Sequence, residues 1–149
     1  MNKKNVLISA CLMGVNCRYD GKGILMEHLD QLMERYHLVP VCPEIMGGMT
    51  IPRRPCEKSG DRVVNDVGED VTEYFVKGAD EVIKLAGLYH CKYAILKERS
   101  PSCGYGEIYD GTFSHNVISG HGILGELLDH KEIAVYGETD MDRFLRDSK

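Results

Sequence analysis

The sequence lacks long apolar runs, internal repeats and low-complexity tracts. No stretch reaches the roughly 20 apolar residues that a membrane-spanning helix requires, so no membrane contact is expected. The apolar run near the start is interrupted by Cys11, Gly14 and Asn16, which makes it too short for a secretory signal peptide. These absences predict a cytoplasmic protein, and the length of 149 residues predicts one domain.

The sequence also lacks an excess of basic residues. It contains 18 Lys and Arg against 23 Asp and Glu, for a net charge of −5. Proteins that bind nucleic acid phosphates regardless of sequence need the opposite balance, so bulk nucleic acid binding is not expected. Arg53 and Arg54 form one local basic cluster, which is either a solvated loop face or a ligand contact. The composition fits a small neutral or weakly charged ligand and gives no indication of the oligomeric state.

Strand-like and helix-like patterns alternate along the chain. This alternation predicts an α/β fold, namely a single compact domain with a Rossmann-like three-layer arrangement and a mostly parallel sheet. The predicted strands are 5–9, 38–41, 92–97 and 132–136, and the predicted helices are 25–36, 71–86, 122–130 and 140–146. Asp70 with Glu73 resembles a capping pair for the second helix, and Thr139 is the predicted cap of the fourth.

Two segments do not fit this alternation. Residues 42–71 contain too much proline and glycine for a long regular element, yet they are too apolar for a solvated linker. We therefore expect an ordered loop that wraps a site, closed by a small ribbon at 62–65. Residues 105–113 are expected to be extended around a turn at Asp110 and Gly111.

Cysteine is the most informative residue that the chain does contain, with six in total. Cys11 and Cys42 follow predicted strands, and Cys103 lies in the loop after a third. The carboxyl ends of parallel strands meet at one edge of a sheet, so we expect these three thiols to open onto one crevice. Converging soft thiolates suit an iron–sulfur cluster or zinc better than a hard cation.

The other three cysteines have different positions. Cys91 lies between a helix and a strand, at the opposite edge of the sheet, and is expected to be buried packing. Cys17 and Cys56 lie in loops that could reach the crevice. Ordinary packing is the expectation for both, and a role as a further ligand stays open.

Three protein ligands leave a four-coordinate site incomplete, which is the property of a catalytic metal rather than a structural one. The spacing does not match the Cys-x2-Cys runs of bacterial ferredoxins, which disfavours electron transfer. Two other functions could use the same three cysteines. One is a zinc hydrolase with Glu44 as its base. The other is a non-catalytic metal or redox-sensing module, whose shell would be closed by Cys17, Cys56 or His121.

Acid–base candidates lie in the same segments. Glu44 precedes an apolar loop, and partial desolvation there would suit it to proton transfer. Ser100 and Ser102 are candidates too, although they could merely form a Ser-Pro turn. His115 and His121 are candidate metal or acid–base residues, but lone histidines are more often structural.

Several motifs carry a resemblance to a known family. They are SACLMG at 9–14, RYDG at 18–21, PVCPEIMGG at 40–48, IPRRP at 51–55, GEDVT at 68–72, KERSPSCG at 97–104 and IYDG at 108–111. In these motifs the chain resembles the domain-of-unknown-function family 523, which includes the thiouracil desulfidases. The resemblance spans nearly the whole chain and implies a single thiouracil-desulfidase-like domain over 1–149.

The resemblance implies a non-redox enzyme that carries a [4Fe-4S] cluster. Such an enzyme replaces the sulfur of a thiolated pyrimidine, such as 4-thiouracil, with oxygen from water and releases sulfide. Carried over by motif, the cluster ligands are Cys11, Cys42 and Cys103. The implied catalytic residues are Glu44, to activate water or move a proton, and Ser100, to orient the pyrimidine.

Overall fold

The structure is a computed structural model that describes residues 3–149. In chain order the elements are β1 (Lys4–Ser9), one turn of 3-10 helix (Ala10–Leu12), α1 (Leu29–Arg35), β2 (Tyr36–Val41), α2 (Pro43–Met46), β3 (Cys56–Ser59), β4 (Arg62–Asn65), α3 (Thr72–Leu88), β5 (Tyr93–Leu96), β6 (Glu107–Tyr109), β7 (Val117–Ser119), α4 (Ile123–His130), β8 (Ala134–Gly137) and α5 (Met141–Asp147). Along the chain, helices therefore alternate with the strands of the central sheet, as the sequence predicts.

A four-stranded parallel sheet forms the centre, in the order β2-β1-β5-β8. Strand β1 pairs with β2 from Lys4 opposite Tyr36 to Ser9 opposite Val41. Strand β2 lies on one side of β1, and the later strands β5 and β8 lie on the other side. The direction in which strands are added to the sheet therefore reverses between β1 and β5. In α/β sheets, ligands bind outside the carboxyl ends of the strands at such a reversal.

Helices cover both faces of this sheet, which confirms the α/β prediction and gives three layers. On one face, Val6 and Ile8 pack in a core with Leu32 of α1 and Phe144 of α5. On the other face, Leu7 packs in a core with residues of α3 and α4. Successive strand residues point to opposite faces, and a strand buried on both faces is apolar throughout. Among the described residues, no helix is both long and apolar enough to cross a bilayer.

The first helix is shorter than predicted at both ends. Leu25 lies outside α1, is 69% exposed and forms an isolated bridge with Met13. The helix begins at Leu29, after His28 at φ +63°, a left-handed conformation that interrupts a helix. Tyr36 belongs to β2. The apolar periodicity over 25–36 therefore combines a loop, a helix and a strand.

Two predicted capping residues make other contacts. Helix α3 starts at Thr72, one residue later than a capping pair of Asp70 and Glu73 requires. Asp70 still binds the first turn, because its Oδ1 accepts hydrogen bonds from the N and Oγ1 of Thr72 at 3.0 and 2.6 Å. Thr139 does not cap α5, since its hydroxyl donates to the carboxylate of Glu98.

The two irregular segments are ordered. After β2 the chain forms α2 and then the hairpin of β3 and β4, which confirms the ribbon predicted at 62–65. Strands β6 and β7 form a second hairpin with Ile108 opposite Ile118. The extended segment predicted over 105–113 is present at 107–109, and the connection that starts at Asp110 and Gly111 is a longer loop, 110–116, than a tight turn.

Candidate active site

A cavity of about 740 Å³ opens at the carboxyl edge of the parallel sheet. Cys11 follows β1, Cys42 follows β2 and Cys103 lies in the loop after β5, and all three line this cavity. Strand β1 lies between β2 and β5, so the three strand ends are neighbours. The structure therefore brings together the three cysteines that strand position alone selects.

Cys11 lies in a short helical element, and Cys42 lies directly before one. The carbonyl oxygen of Cys11, in the 3-10 turn, accepts a hydrogen bond from Ile24 N at 2.6 Å. Cys42 precedes α2, and its carbonyl oxygen accepts a hydrogen bond from Met46 N at 2.9 Å. Pro43 at the first position of α2 suits a helix start because its missing N–H would have no helical partner there.

Helix α2 is held against α3 by a close backbone approach. A Cβ at Gly47 would collide with the carbonyl oxygen of Tyr74, and a Cβ at Gly78 would collide with the carbonyl oxygen of Pro43. Only glycine allows the two helices to approach this closely. This contact fixes the position of α2, and with it the side chain of Glu44.

The loop that carries Cys103 is organised by a serine. The Oγ of Ser100 accepts hydrogen bonds from the backbone N–H groups of Ser102 and Cys103, both at 3.1 Å. The carbonyl oxygens of Pro101 and Ser102 accept hydrogen bonds from the first residues of α4. Cys103 is 5% exposed. The turn that sequence reading allowed for these serines therefore exists, and it presents Cys103 to the cavity.

Glu44 lines the cavity and forms a largely buried ion pair. Its Oε1 accepts a hydrogen bond from Arg53 Nε at 3.0 Å, and the two side chains are 15% and 5% exposed. Arg53 also donates to the carbonyl oxygens of Cys17 at 3.0 Å and Thr50 at 3.1 Å. Arg53 is therefore not part of a solvated loop face, and its guanidinium orients Glu44 at the cavity.

The second oxygen of Glu44 is bound by Ser102. The Ser102 hydroxyl donates to Glu44 Oε2 at 2.9 Å and lies 3.0 Å from the Oγ of Ser100. A hydroxyl has one hydrogen, and that of Ser102 goes to Glu44, so Ser100 supplies the hydrogen between the two serines. A hydrogen-bond chain therefore runs from Arg53 through Glu44 and Ser102 to Ser100.

The thiols of the three cysteines have different acidities. Burial raises the pKa of Cys11 to about 11 and that of Cys103 to about 12. The pKa of Cys42 is lowered to about 7, first because the Cys17 thiol hydrogen-bonds to it and also because of a hydrogen bond from the Ile45 backbone. The same hydrogen bond with Cys42 raises the pKa of Cys17. A bound cation would displace the protons from such thiols.

The remaining candidates divide between the cavity and the core. Cys17 and Cys56 line the cavity, whereas Cys91 is 5% exposed and packs in the core beside α3, as predicted. His115 lines the cavity. The ring of His121 stacks on Tyr105 with centroids 4.2 Å apart, and its Nδ1 accepts a hydrogen bond from a backbone N–H. These contacts make His121 a structural residue.

The cavity does not present the ligand set of a single metal ion. In residues 3–149, no three His, Cys, Asp or Glu side chains lie close enough together to hold one. The zinc alternative therefore has no support in the geometry. A cubane cluster makes a different demand, because each thiolate binds its own iron and the ligand sulfurs lie about 6–7 Å apart. Cys11, Cys42 and Cys103 line one cavity, and their soft thiol donors have the chemistry that such a cluster needs.

The family model described as 2-thiouracil desulfurase matches residues 6–140. The chain belongs to the 2-thiouracil desulfurase family. This confirms the resemblance that the motifs indicate. The uncharacterized protein YbbK of Bacillus subtilis (strain 168) is 37% identical over 150 residues, which cover 94% of this chain and 99% of YbbK.

A solved structure shares both the fold and much of the sequence. It is that of the [4Fe-4S]-dependent thiouracil desulfidase TudS (DUF523Vcz), with a TM-score of 0.89, 38% identity and coverage of 95% of each chain. The similarity confirms the single α/β domain with a mostly parallel sheet. In the present chain, the sequence did not predict that Arg53 and Ser102 contact Glu44. No signal in a single sequence links these residues, since Ser102 is 58 positions from Glu44.

Proposed function

We propose that the protein is an iron–sulfur-dependent desulfidase that replaces the sulfur of a thiolated pyrimidine, such as 4-thiouracil, with oxygen from water. The observation that carries this proposal is one cavity lined by Cys11, Cys42 and Cys103 together with Glu44 and Ser100. Membership of the 2-thiouracil desulfurase family supports it, as does the similarity to a [4Fe-4S]-dependent thiouracil desulfidase.

Cys11, Cys42 and Cys103 would hold a [4Fe-4S] cluster. When bound, the cluster supplies an iron without a protein ligand, which acts as a Lewis acid toward the thiocarbonyl sulfur. The three thiols come from separate loops, so the protein fixes each one through its own strand end. Burial of Cys11 and Cys103, at 8% and 5% exposure, limits the access of water to these sulfurs.

Glu44 would move the proton. In the overall reaction the oxygen of water forms a bond to the ring carbon, the carbon–sulfur bond breaks, and sulfur leaves as sulfide. The Glu44 carboxylate accepts a proton from the attacking water and can return it to the leaving sulfide, so no net electron transfer is needed. Arg53 and Ser102 each bind one carboxylate oxygen, which holds Glu44 in one orientation.

Ser100 would orient the pyrimidine. Its Oγ is fixed by two backbone N–H groups and lines the cavity, while its hydrogen is directed at Ser102. The Ser100 hydroxyl can rotate so that it donates to the ring, or to charge that develops on the ring. This rotation leaves the hydrogen bond from Ser102 to Glu44 in place. Ser102 is 1% exposed and therefore acts through Glu44 rather than on the substrate.

Turnover by the cluster-loaded protein tests this function. The protein is purified or reconstituted without oxygen, its iron and acid-labile sulfide are measured, and 4-thiouracil and its nucleoside are added. We expect the thiocarbonyl absorbance to disappear and about one sulfide to be released for each pyrimidine ring converted. A folded, fully loaded protein that releases no sulfide from either compound would rule out the proposed reaction.

A further inference from the structure

One wall of the cavity is aromatic and has no part in the roles assigned so far. Tyr109 at the end of β6 lines the cavity, and so do Phe113 and His115 in the connection to β7. The rings of Tyr109 and His115 are 6.1 Å apart and meet edge to face. We call residues 109–115 the aromatic loop.

Two residues of the aromatic loop hold the left-handed backbone conformation, which is unfavourable above all for Phe113. Phe113 has φ +59° and His115 has φ +64°, both in the left-handed region. Glycine adopts this region without cost and asparagine with little, whereas bulky side chains rarely do. A turn alone would not require an aromatic residue here. Strained residues of this kind concentrate at ligand sites, where the surrounding structure holds them in place.

The surrounding structure does hold the aromatic loop. Oε1 of Glu57, on β3, accepts hydrogen bonds from Gly111 N at 3.0 Å and Phe113 N at 3.1 Å. Asp110 Oδ1 accepts further hydrogen bonds from Thr112 N at 3.0 Å and Thr112 Oγ1 at 2.6 Å. Within residues 3–149, Glu57 forms no ion pair, so its carboxylate serves the loop. The strain at Phe113 is therefore fixed by a partly buried side chain.

We propose that the aromatic loop binds the flat ring of the substrate and that Phe113 is its main contact. This deepens the proposed function and rests on it. A pyrimidine presents two π-faces, and an aromatic side chain covers such a face with apolar area and favourable stacking. Phe113 is only partly buried, which leaves ring surface for a ligand to cover. His115, supported by Tyr109, bounds the same wall.

Replacement of Phe113 by asparagine tests the proposal. Asparagine tolerates the left-handed conformation, so F113N removes the ring with little added backbone strain. We expect F113N to raise KM for 4-thiouracil about tenfold and to weaken the binding of uracil, the desulfurised product, by the same factor, as loss of one stacking contact does. The kcat should stay within about twofold, because Phe113 touches no reacting group.

Two further variants keep the test sharp. H115N makes the same kind of change two residues later and should act in the same direction if F113N fails to fold. His90 also has a positive φ, +52°, but lies in the exposed connection after α3. H90N is therefore the matched control, and we expect unchanged KM and uracil affinity.

The outcomes separate this proposal from the proposed function. If the wild type turns over thiolated pyrimidines and F113N and H115N match it in KM and uracil affinity, the aromatic loop does not bind the ring. If the loaded wild type releases no sulfide yet binds uracil, and F113N loses that binding, the reaction is wrong and the ring-binding role stands. If the wild type does not bind uracil at all, the ring-binding proposal is overturned.

Discussion

Glu44 is the residue whose surroundings matter most to the proposed chemistry. Each of its carboxylate oxygens has a separate partner, Arg53 on Oε1 and Ser102 on Oε2. A carboxylate that is mostly shielded from water needs such partners, because an unpaired buried charge is costly. The pair of bonds also sets the direction in which the carboxylate faces the cavity.

Substitution of Arg53 tests this role. R53Q keeps a polar side chain of similar length but leaves Glu44 without its cation. We expect kcat to fall about tenfold or more while KM changes less, because the proton-moving group is no longer held in place. The free energy of unfolding should fall by about 3 kcal/mol, the lower end for breaking a buried ion pair. Steady-state kinetics and urea unfolding measure both effects.

The neighbouring arginine is the matched control. Arg54 is 57% exposed and pairs with Asp66 at the surface. R54Q should therefore leave kcat unchanged and alter stability by less than about 1 kcal/mol. Equal loss of kcat in R53Q and R54Q would show that the local positive charge matters and that the orientation of Glu44 does not.

Some of the site residues were predictable from sequence and some were not. Cys11, Cys42 and Cys103 were predictable as neighbours because each follows a strand, and parallel strands end at one edge. The partners of Glu44 were not, because Arg53 and Ser102 reach it from other loops. The sequence does not distinguish Arg53 from its neighbour Arg54, because only the tertiary structure buries Arg53 and leaves Arg54 exposed.

At the scale of elements, the contact between α2 and α3 positions one side of the site. Helix α2 has one turn and carries Glu44 directly after Cys42. Its place depends on the close approach at Gly47 and Gly78. A single turn has little stability of its own, so tertiary contacts must hold it.

The glycines of α3 offer a paired test. G78A introduces a Cβ that collides with the carbonyl oxygen of Pro43, so α2 must shift. We expect a loss of stability and a loss of bound iron. At Gly87, on the same helix, a Cβ meets nothing within 4 Å. G87A should stabilise the protein by about 0.5–1 kcal/mol and leave the iron content unchanged.

Thermal unfolding and iron analysis of both variants check this expectation. A G78A protein with full iron content and wild-type stability would show that the close approach does not position α2. A destabilised G87A would show instead that alanine is unfavourable at either position of the helix.

The ends of the elements were less predictable than the elements themselves. The apolar residues over 25–36 have helical spacing, but Leu25 lies in the loop before α1 and Tyr36 belongs to β2. The spacing of apolar residues indicates which side chains are buried, but it does not identify the secondary structure at each residue. A strand that follows a helix directly can therefore be mistaken for the end of the helix. Thr139 likewise reads as a cap, although the carboxylate of Glu98 competes for its hydroxyl.

At the scale of the whole molecule, the topology creates the site. The order β2-β1-β5-β8 puts the ends of three strands side by side, and helices on both faces leave the carboxyl edge open. Alternating patterns predict this architecture, since parallel strands need helical connections. The size of the cavity and the aromatic loop follow from tertiary packing and had no signature in the sequence.

The proposed reaction depends on one iron–sulfur cluster held by Cys11, Cys42 and Cys103. The most direct test measures iron and acid-labile sulfide in anaerobically reconstituted protein, comparing the wild type, C11A, C42A, C103A and the core variant C91A. We expect about four irons and four sulfides per chain in the wild type and in C91A, with most of both lost from the other three variants. Wild-type cluster content in C11A, C42A and C103A would contradict this expectation.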